Sequence, residues 1–295
     1  MNKNLIKKEY LKKIKQYENY NKKYFDENQP IISDSDYDNL KNEIIELEKK
    51  YQYLKNKNSP INKVGFKPSK NFKKANHKVP MLSLANAFSE EDLINFEKKI
   101  ENFLSKKNDF KIFYSAEPKI DGISASLTYE NGNFVRGLSR GDGKEGEDIT
   151  DNLNTIKDIP KKVLSKDFPE VIDIRGEVFI QNSDFEYLKD KFANPRNAAS
   201  GSLRQKNPED TKKIPLNFIA YTFGFENGLK VENQSNYLKK LEEWGFKINP
   251  LNKLISGVKN LIENYNEIEK KRADLNFDID GIVYKVNDFD LQKRL

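Results

Sequence analysis

Lys119 stands two residues before Asp121 in the stretch Glu117-Pro118-Lys119-Ile120-Asp121-Gly122. A lysine amine acts as a nucleophile once it sheds part of its hydration and its proton, and a bend between two buried strands is a place where that happens. The same six residues also fit a surface lysine in a turn, one of 52 Lys+Arg residues, and alone they leave both readings open. Carboxylates recur where an apolar strand would not choose them: Asp121, Glu177 and Asp280 each follow or interrupt an apolar run. Each could be a turn former or a salt-bridge partner. Taken with Lys119 and Lys285, the three suit one cleft holding Mg²⁺ and phosphate. Lys285, beside Val283 and Tyr284, fits a solvent-facing strand position equally well. Arg140 lies at a strand end beside glycines, where a guanidinium can hold ribose or phosphate. Arg196 and Arg204 fall in the turn-rich segments Asn194-Pro195-Arg196 and Ser202-Leu203-Arg204, read either as plain loop or as a phosphate clamp on nucleic acid.

Two other patterns carry less. Gly141, Gly143 and Gly146 have the G-x-G-x-x-G spacing. The strand before them is tied to its neighbour by Asn131-Gly132, an antiparallel hairpin signal, and no apolar helix face follows, so a flexible glycine turn is favoured over a dinucleotide-binding βαβ unit. Gly143-Lys144-Glu145 is no P-loop, since Glu stands where Ser or Thr is needed. One histidine, His77, and no cysteine leave the chemistry to Lys, Arg, Asp and Glu, rule out disulfides and thiolate zinc sites, and fit a reducing cytoplasm.

With 295 residues the chain can hold one large domain or two. Although 33% of residues are charged, 19 Phe and 14 Tyr supply apolar area for a core. No apolar run reaches the roughly 18 residues of a membrane span, and the start lacks a signal core. The expectation is a cytoplasmic protein with no membrane partner. A net charge of +6 favours polyanionic partners, nucleic acid first.

The elements that must position these residues follow from periodicity. Ile6, Tyr10, Ile14, Tyr17 and Tyr24 mark one helix over 3–25; Tyr37, Leu40, Ile44, Leu47 and Tyr51 mark a second, capped by Ser33. This helical hairpin is too small to stand alone. Residues 55–76 read as a linker, and Ser89-Glu90-Glu91-Asp92 opens a third helix. Strands are expected at 110–117, 123–129, 133–140, 216–225 and 278–286, with another strand pair or a bent strand at 171–180. Ser183-Asp184-Phe185-Glu186 has the form of a capping box. Helices are expected near 234–244, ended by Gly245, and 256–272. Strands in hairpins with interspersed helices make the fold class α+β with antiparallel sheets, divided as 1–68 and 69–295.

At this point the residues carry a resemblance. Lys119-Ile120-Asp121-Gly122 resembles the K-x-D-G nucleotidyltransferase motif of the bacterial NAD⁺-dependent DNA ligases. Arg140-Gly141-Asp142-Gly143 with Gly146-Glu147-Asp148-Ile149-Thr150, then Arg175-Gly176-Glu177-Val178-Phe179, resemble that family's later signatures. Phe192-Ala193-Asn194-Pro195-Arg196-Asn197, Gly201-Ser202-Leu203-Arg204-Gln205 and Phe277-Asp278-Ile279-Asp280-Gly281 with Lys285 follow in the family's order, and Pro80-Met81-Leu82-Ser83-Leu84 matches as well. The ordered series covers nearly the whole chain. It implies an N-terminal helical hairpin subdomain that binds the nicotinamide mononucleotide half of NAD⁺, followed by an adenylation domain of the ATP-grasp-like ligase type. Lys119 would be the catalytic nucleophile. Tyr24, Asp34, Tyr37 and Asp38 match nicotinamide-side positions, and Phe25 stands where the family usually has Tyr or His, so it can stack without hydrogen bonding. Without the resemblance, Tyr24 and Tyr37 fit plain helix packing equally. Ser83, Leu84, Glu117, Arg140, Glu177, Tyr221 and Lys285 would bind the rest of the nucleotide, Tyr221 by stacking on adenine. Asp121, Glu177 and Asp280 would act around Mg²⁺, and Arg196, Arg204 and Arg272 in the phosphate and DNA region.

The resemblance further implies a monomer that acts on nicked duplex DNA. The family continues past the position of Leu295 with strands carrying another lysine, an OB-fold, a cysteine zinc finger, helix-hairpin-helix repeats and a C-terminal phosphopeptide-type module. The expectation is therefore an adenylation part whose own nick sealing is weak or absent. Two other readings stand beside it: a lysine nucleotidyltransferase that uses ATP, and an inactive nucleotide- or DNA-binding remnant.

Overall fold

The computed structural model describes residues 3–21, 23, 34–54, 59, 72–104 and 111–295. The chain divides into two compact units, residues 1–83 with 140–147 and residues 84–139 with 148–295. In the first unit, α1 (Lys3–Asn21) and α2 (Asp34–Lys50) bury a shared stripe of Ile6, Tyr10, Tyr17 and Ile44, closed by Leu54 of the 3-10 turn Gln52–Leu54. This is the expected hairpin, each helix contributing its apolar face. The Ser33 cap lies outside the described residues. The expected linker is not all linker: Lys74–Asn76 is a strand, β1, paired antiparallel with a later strand, Glu145–Glu147. The glycine-rich turn before Glu145–Glu147 is thereby a hairpin-like loop with Asp142 Oδ1 accepting from the Lys144 and Glu145 amides, not a dinucleotide turn.

The second unit is built on two antiparallel sheets. After α3 (Glu90–Leu104) come β2 (Phe113–Ile120), β3 (Ile123–Glu130) and β4 (Asn133–Ser139). Asn131 and Gly132 have φ of 48° and 77°, the left-handed pair the hairpin signal demands. With Glu145–Glu147 as β5, the chain continues through α4 (Thr150–Leu153), β6 (Val171–Ile180), α5 (Asn182–Phe185), α6 (Pro195–Leu203), α7 (Pro208–Lys212) and β7 (Leu216–Asn227). It ends with α8 (Gln234–Glu243), β8 (Lys253–Ser256), α9 (Val258–Lys271), β9 (Ile279–Val286) and α10 (Phe289–Arg294). The four-stranded sheet has the order β4-β3-β6-β7, and the three-stranded sheet β8-β2-β9.

Three local expectations are corrected. Residues 171–180 form one continuous strand. Ser183 does not cap α5, since the helix starts earlier with Gln181 at its N-cap and no side-chain cap bond. The Arg196 segment is helix rather than loop: Asn194 Oδ1 accepts from the Asn197 amide and Pro195 takes the first turn, the usual N-cap and N1 pairing.

Two apolar cores position the site strands. Ile100 and Leu104 of α3 and Leu261 of α9 pack with Ile112, Tyr114 and Val286 on one face of the three-stranded sheet. Ile120 of β2 meets Phe179 and Ile219 of the four-stranded sheet where the two sheets join. No helix of the described residues is long and apolar enough to cross a membrane.

Candidate active site

Lys119 lies near the end of β2, and the chain then passes in two residues from the three-stranded to the four-stranded sheet. Gly122 makes this crossing possible. A Cβ there would come within 2.4 Å of the Val178 carbonyl oxygen and 2.9 Å of Glu177 Cγ, so the backbone lies against β6 at the residue that carries the carboxylate. The expected bend between two strands is therefore also the seam between two sheets.

A bulge brings Asp280 to Lys119. Lys119 opposes Gly281 and Ile120 opposes Ile279, which leaves Asp280 as the extra residue of β9. A bulge re-aims the side chain it displaces, and here Lys119 Nζ donates to Asp280 Oδ2. Lys119 remains 47% exposed. The arrangement corrects the expectation of a dehydrated amine: its ammonium is charge-paired at an open edge. Burial is the largest influence on the Asp280 carboxyl and raises its pKa, against the opposing pull of Lys119.

Beside this pair, Arg196 Nη1 donates to Asp121 Oδ1 at 2.5 Å. The first turn of α6 thus returns a guanidinium to the residue just past β2. Ser124 stands directly opposite Glu177 in the ladder, and its hydroxyl donates to Glu177 Oε2 at 2.9 Å. Dense packing pushes the Glu177 carboxyl up to about 7, opposed first by Arg196, then by the Ser124 hydrogen bond and Lys119. Asp121, Glu177 and Asp280 share one electrostatic neighbourhood. Each is turned to its own partner, and among the described residues no group of three or more acidic or histidine side chains is arranged to hold a metal ion. The donor type still suits Mg²⁺, a hard cation that takes one or two carboxylates and completes its shell with water and substrate phosphate.

A second cluster sits on the same face of β2. Glu117, 4% exposed, accepts from Lys285 Nζ at 2.8 Å, from Ser115 Oγ at 2.8 Å and from Gln234 Nε2 at 2.9 Å. Lys285 also donates to the Tyr221 carbonyl at 3.0 Å and lies 5.3 Å from the centre of the Tyr221 ring. Another bulge frees that carbonyl: Arg175 opposes Thr222 and Gly176 opposes Ala220, leaving Tyr221 as the extra residue of β7. Sequence reasoning missed Gln234 and Ser124. The only signal for Gln234 was its place after Asn233, which caps α8, and nothing there points to Glu117.

The remaining expected residues are placed as follows. Arg140 Nη2 donates to Ser83 Oγ at 2.9 Å within the first unit, while Leu84 is exposed at the start of the second. Tyr37 stacks on Tyr17 with ring centres 5.0 Å apart and donates to Asn21 Oδ1 at 2.5 Å, so one of its faces is used in packing α2 on α1. Tyr24 and Phe25 lie outside the described residues, as do the side chains of Asp34 and Asp38. Arg204 is the C-cap residue of α6. Arg272 follows α9, and its guanidinium is 3.8 Å from Glu269, not in the Asp121–Asp280 cluster.

Residues 69–295 match the profile of the NAD-dependent DNA ligase adenylation domain. The chain belongs to the NAD-dependent DNA ligase family. Residues 3–65 match the DNA ligase-like N-terminal NAD⁺-binding domain. A DNA ligase of Pelagibacter ubique is 65% identical over 295 residues, all of this chain and 44% of the relative. A DNA ligase of Parvibaculum lavamentivorans is 46% identical over 286 residues, 94% of this chain and 40% of the relative. One of Rickettsia massiliae is 46% identical over 284 residues, 94% of this chain and 41% of the relative. The chain thus spans less than half the length of these relatives.

Proposed function

We propose that this chain carries out the NAD⁺-dependent adenylation step of a DNA ligase, with Lys119 as the residue that accepts AMP. The observation that carries the reading is the Lys119–Asp280 pair at the seam of the two sheets, with Arg196, Glu177, Lys285 and Glu117 around it. In the proposed step Lys119 gives up its proton and its amine nitrogen bonds to the α-phosphorus of NAD⁺. The bond from that phosphorus to the oxygen of nicotinamide mononucleotide breaks, and the mononucleotide leaves with the bonding electrons. Asp280 is positioned to take the ammonium proton. Arg196 and Lys285 supply positive charge for the phosphate oxygens as charge shifts onto them. Glu117 and the Tyr221 ring would hold adenine, Arg140 and Glu177 ribose, and Arg204 and Arg272 phosphate or DNA.

Mg²⁺, held by Asp121, Glu177 or Asp280 together with substrate phosphate, would neutralise charge on the phosphate oxygens. Residues 1–68 would bind the nicotinamide mononucleotide half through Tyr24, Phe25, Asp34, Tyr37 and Asp38, and residues 69–295, including Ser83 and Leu84, would form the adenylation domain. The downstream substrate is proposed to be nicked duplex DNA, and the protein a cytoplasmic monomer. The test is intact-mass measurement after exposure to NAD⁺ and Mg²⁺, beside ATP and Mg²⁺. A gain of one adenylyl group from NAD⁺ alone, absent in Lys119→Ala, supports the reading. Adenylation by ATP alone, or none at all, rejects it.

A further inference from the structure

Glu117, Lys285, Gln234 and Tyr221 form a closed square of two donors and two acceptors. Gln234 Nε2 donates to Glu117 Oε1 at 2.9 Å and to the Tyr221 carbonyl at 2.7 Å. Lys285 Nζ donates to Glu117 Oε2 and to the same carbonyl. The square spans the two sheets, since Glu117 is on β2 and Tyr221 on β7. Its carbonyl corner exists only because Tyr221 is bulged out of the ladder. Both of its partners being acceptors, the Gln234 amide must present its NH₂ to them, and both amide hydrogens are committed.

The two donors differ in what else they can do. Lys285 is a cation on a flexible stem, and its side chain is 19% exposed. Gln234 is neutral, 1% exposed, and fixed at the first turn of α8. Its own backbone N–H donates to the Asn287 carbonyl at 2.8 Å, two residues beyond Lys285. The two carboxylate oxygens of Glu117 are thus anchored separately: Lys285 holds Oε2, while Ser115 and Gln234 hold Oε1.

We infer that Gln234 is a positioning residue for the purine site: it fixes Oε1 of the Glu117 carboxylate and the Tyr221 backbone carbonyl, and so sets a preference for a base with an exocyclic amine. This rests on the reading of the site as one that accepts AMP. A fixed carboxylate only accepts hydrogen bonds. Adenine offers it an N–H from its amino group; hypoxanthine offers a carbonyl at the same place, which the carboxylate repels. A Gln234 that merely ties α8 to the sheets would change stability without changing that preference.

The test uses the full chain with Gln234→Met, similar in shape but without donors, and Gln234→Asn, too short to reach both acceptors. Calorimetry compares AMP with IMP binding, and intact mass follows AMP uptake from NAD⁺. In Gln234→Met, AMP binding is expected to weaken about tenfold, as for one lost buried hydrogen bond, with IMP little changed. The NAD⁺ concentration that gives half the maximal rate of AMP uptake should rise by a similar factor, while the maximal rate stays within about twofold. Gln234→Asn should fall between Gln234→Met and wild type. An AMP/IMP ratio equal to wild type in both variants overturns the inference, as does a fall in the maximal rate of uptake at an unchanged half-saturating NAD⁺ concentration. If wild-type protein takes no AMP from NAD⁺, the functional reading fails, while the AMP/IMP ratio still decides the role of Gln234. If wild type binds neither nucleotide, both fall.

Discussion

Two lysine–carboxylate pairs join β2 to β9, in opposite senses. Toward the open end, Lys119 of β2 reaches Asp280 of β9, with side chains 47% and 26% exposed. Further along the same strands, Lys285 of β9 reaches Glu117 of β2, with side chains 19% and 5% exposed. The chemistry is the same and the surroundings are opposite. Glu117 is held by three donors, one of them the Lys285 ammonium that opposes its charge. Asp280 sits on a bulge at the sheet seam and faces an amine that water can reach. A wall that recognises a base has to keep its shape, whereas a nucleophile has to be free to leave its partner. The apolar packing of α3 and α9 holds one face of the strands, and the bulge loosens the other face only at its last residues.

The contrast can be broken by substitution. The largest expected effect is Lys119→Ala, which should lower AMP uptake by at least about ten-thousandfold, because no other group on the seam can form the bond to phosphorus; intact mass reads it directly. Glu117→Ala should cost about 3–5 kcal/mol in urea denaturation by leaving the largely buried Lys285 charge without its carboxylate. Asp280→Ala should cost about 1 kcal/mol or less in the same assay, because the Lys119 ammonium it leaves behind is 47% exposed and water can solvate it. Equal losses would erase the distinction between the two pairs.

Gly122→Ala tests the seam itself. A methyl placed 2.4 Å from the Val178 carbonyl must push β2 and β6 apart, at about 1–3 kcal/mol, and slow AMP uptake by moving Lys119 from Glu177. Unchanged stability and uptake would show that the close approach does not position the site. The smallest effect is expected where ion pairs are fully exposed. Hydrogen bonds from Lys253 and then Lys271 hold the Glu267 carboxyl down to about 2, below its ordinary 4.5. A lowered carboxylate pKa adds stability above the unfolded value, and that addition fades as pH falls from about 4.5 toward 2. Glu267→Gln should flatten this part of the stability–pH curve and leave AMP uptake at neutral pH as in wild type. An unchanged acid limb would show that these pairs add nothing.

Much of the site was legible because its residues are dense in chemistry and ordered along the chain. Lys119-Ile120-Asp121-Gly122, Arg175-Gly176-Glu177 and Asp278-Ile279-Asp280 stand out as charges interrupting apolar runs. The helical hairpin and the Asn131-Gly132 turn followed from periodicity and from residues that tolerate positive φ. The helix at Arg196 was legible in Asn194-Pro195 but was hidden by the turn-rich look of the segment. The strand Lys74–Asn76 was not legible, because three residues in a polar, proline-containing stretch carry no period.

Amino-acid order alone determined which residue types are available for chemistry, the α+β class, and the family motifs that single out Lys119. Only the tertiary structure decided that β2 and β3 belong to different sheets, that Asp280 and Tyr221 are bulged, and that Gln234 closes the square with Glu117. The reason is physical. Periodicity reports which face of an element is buried. A bulge is one extra residue whose effect depends on the register of a partner strand, and Lys119 and Asp280 are 161 positions apart in the chain. The hydrogen bonds that make the seam exist only once both strands are in place.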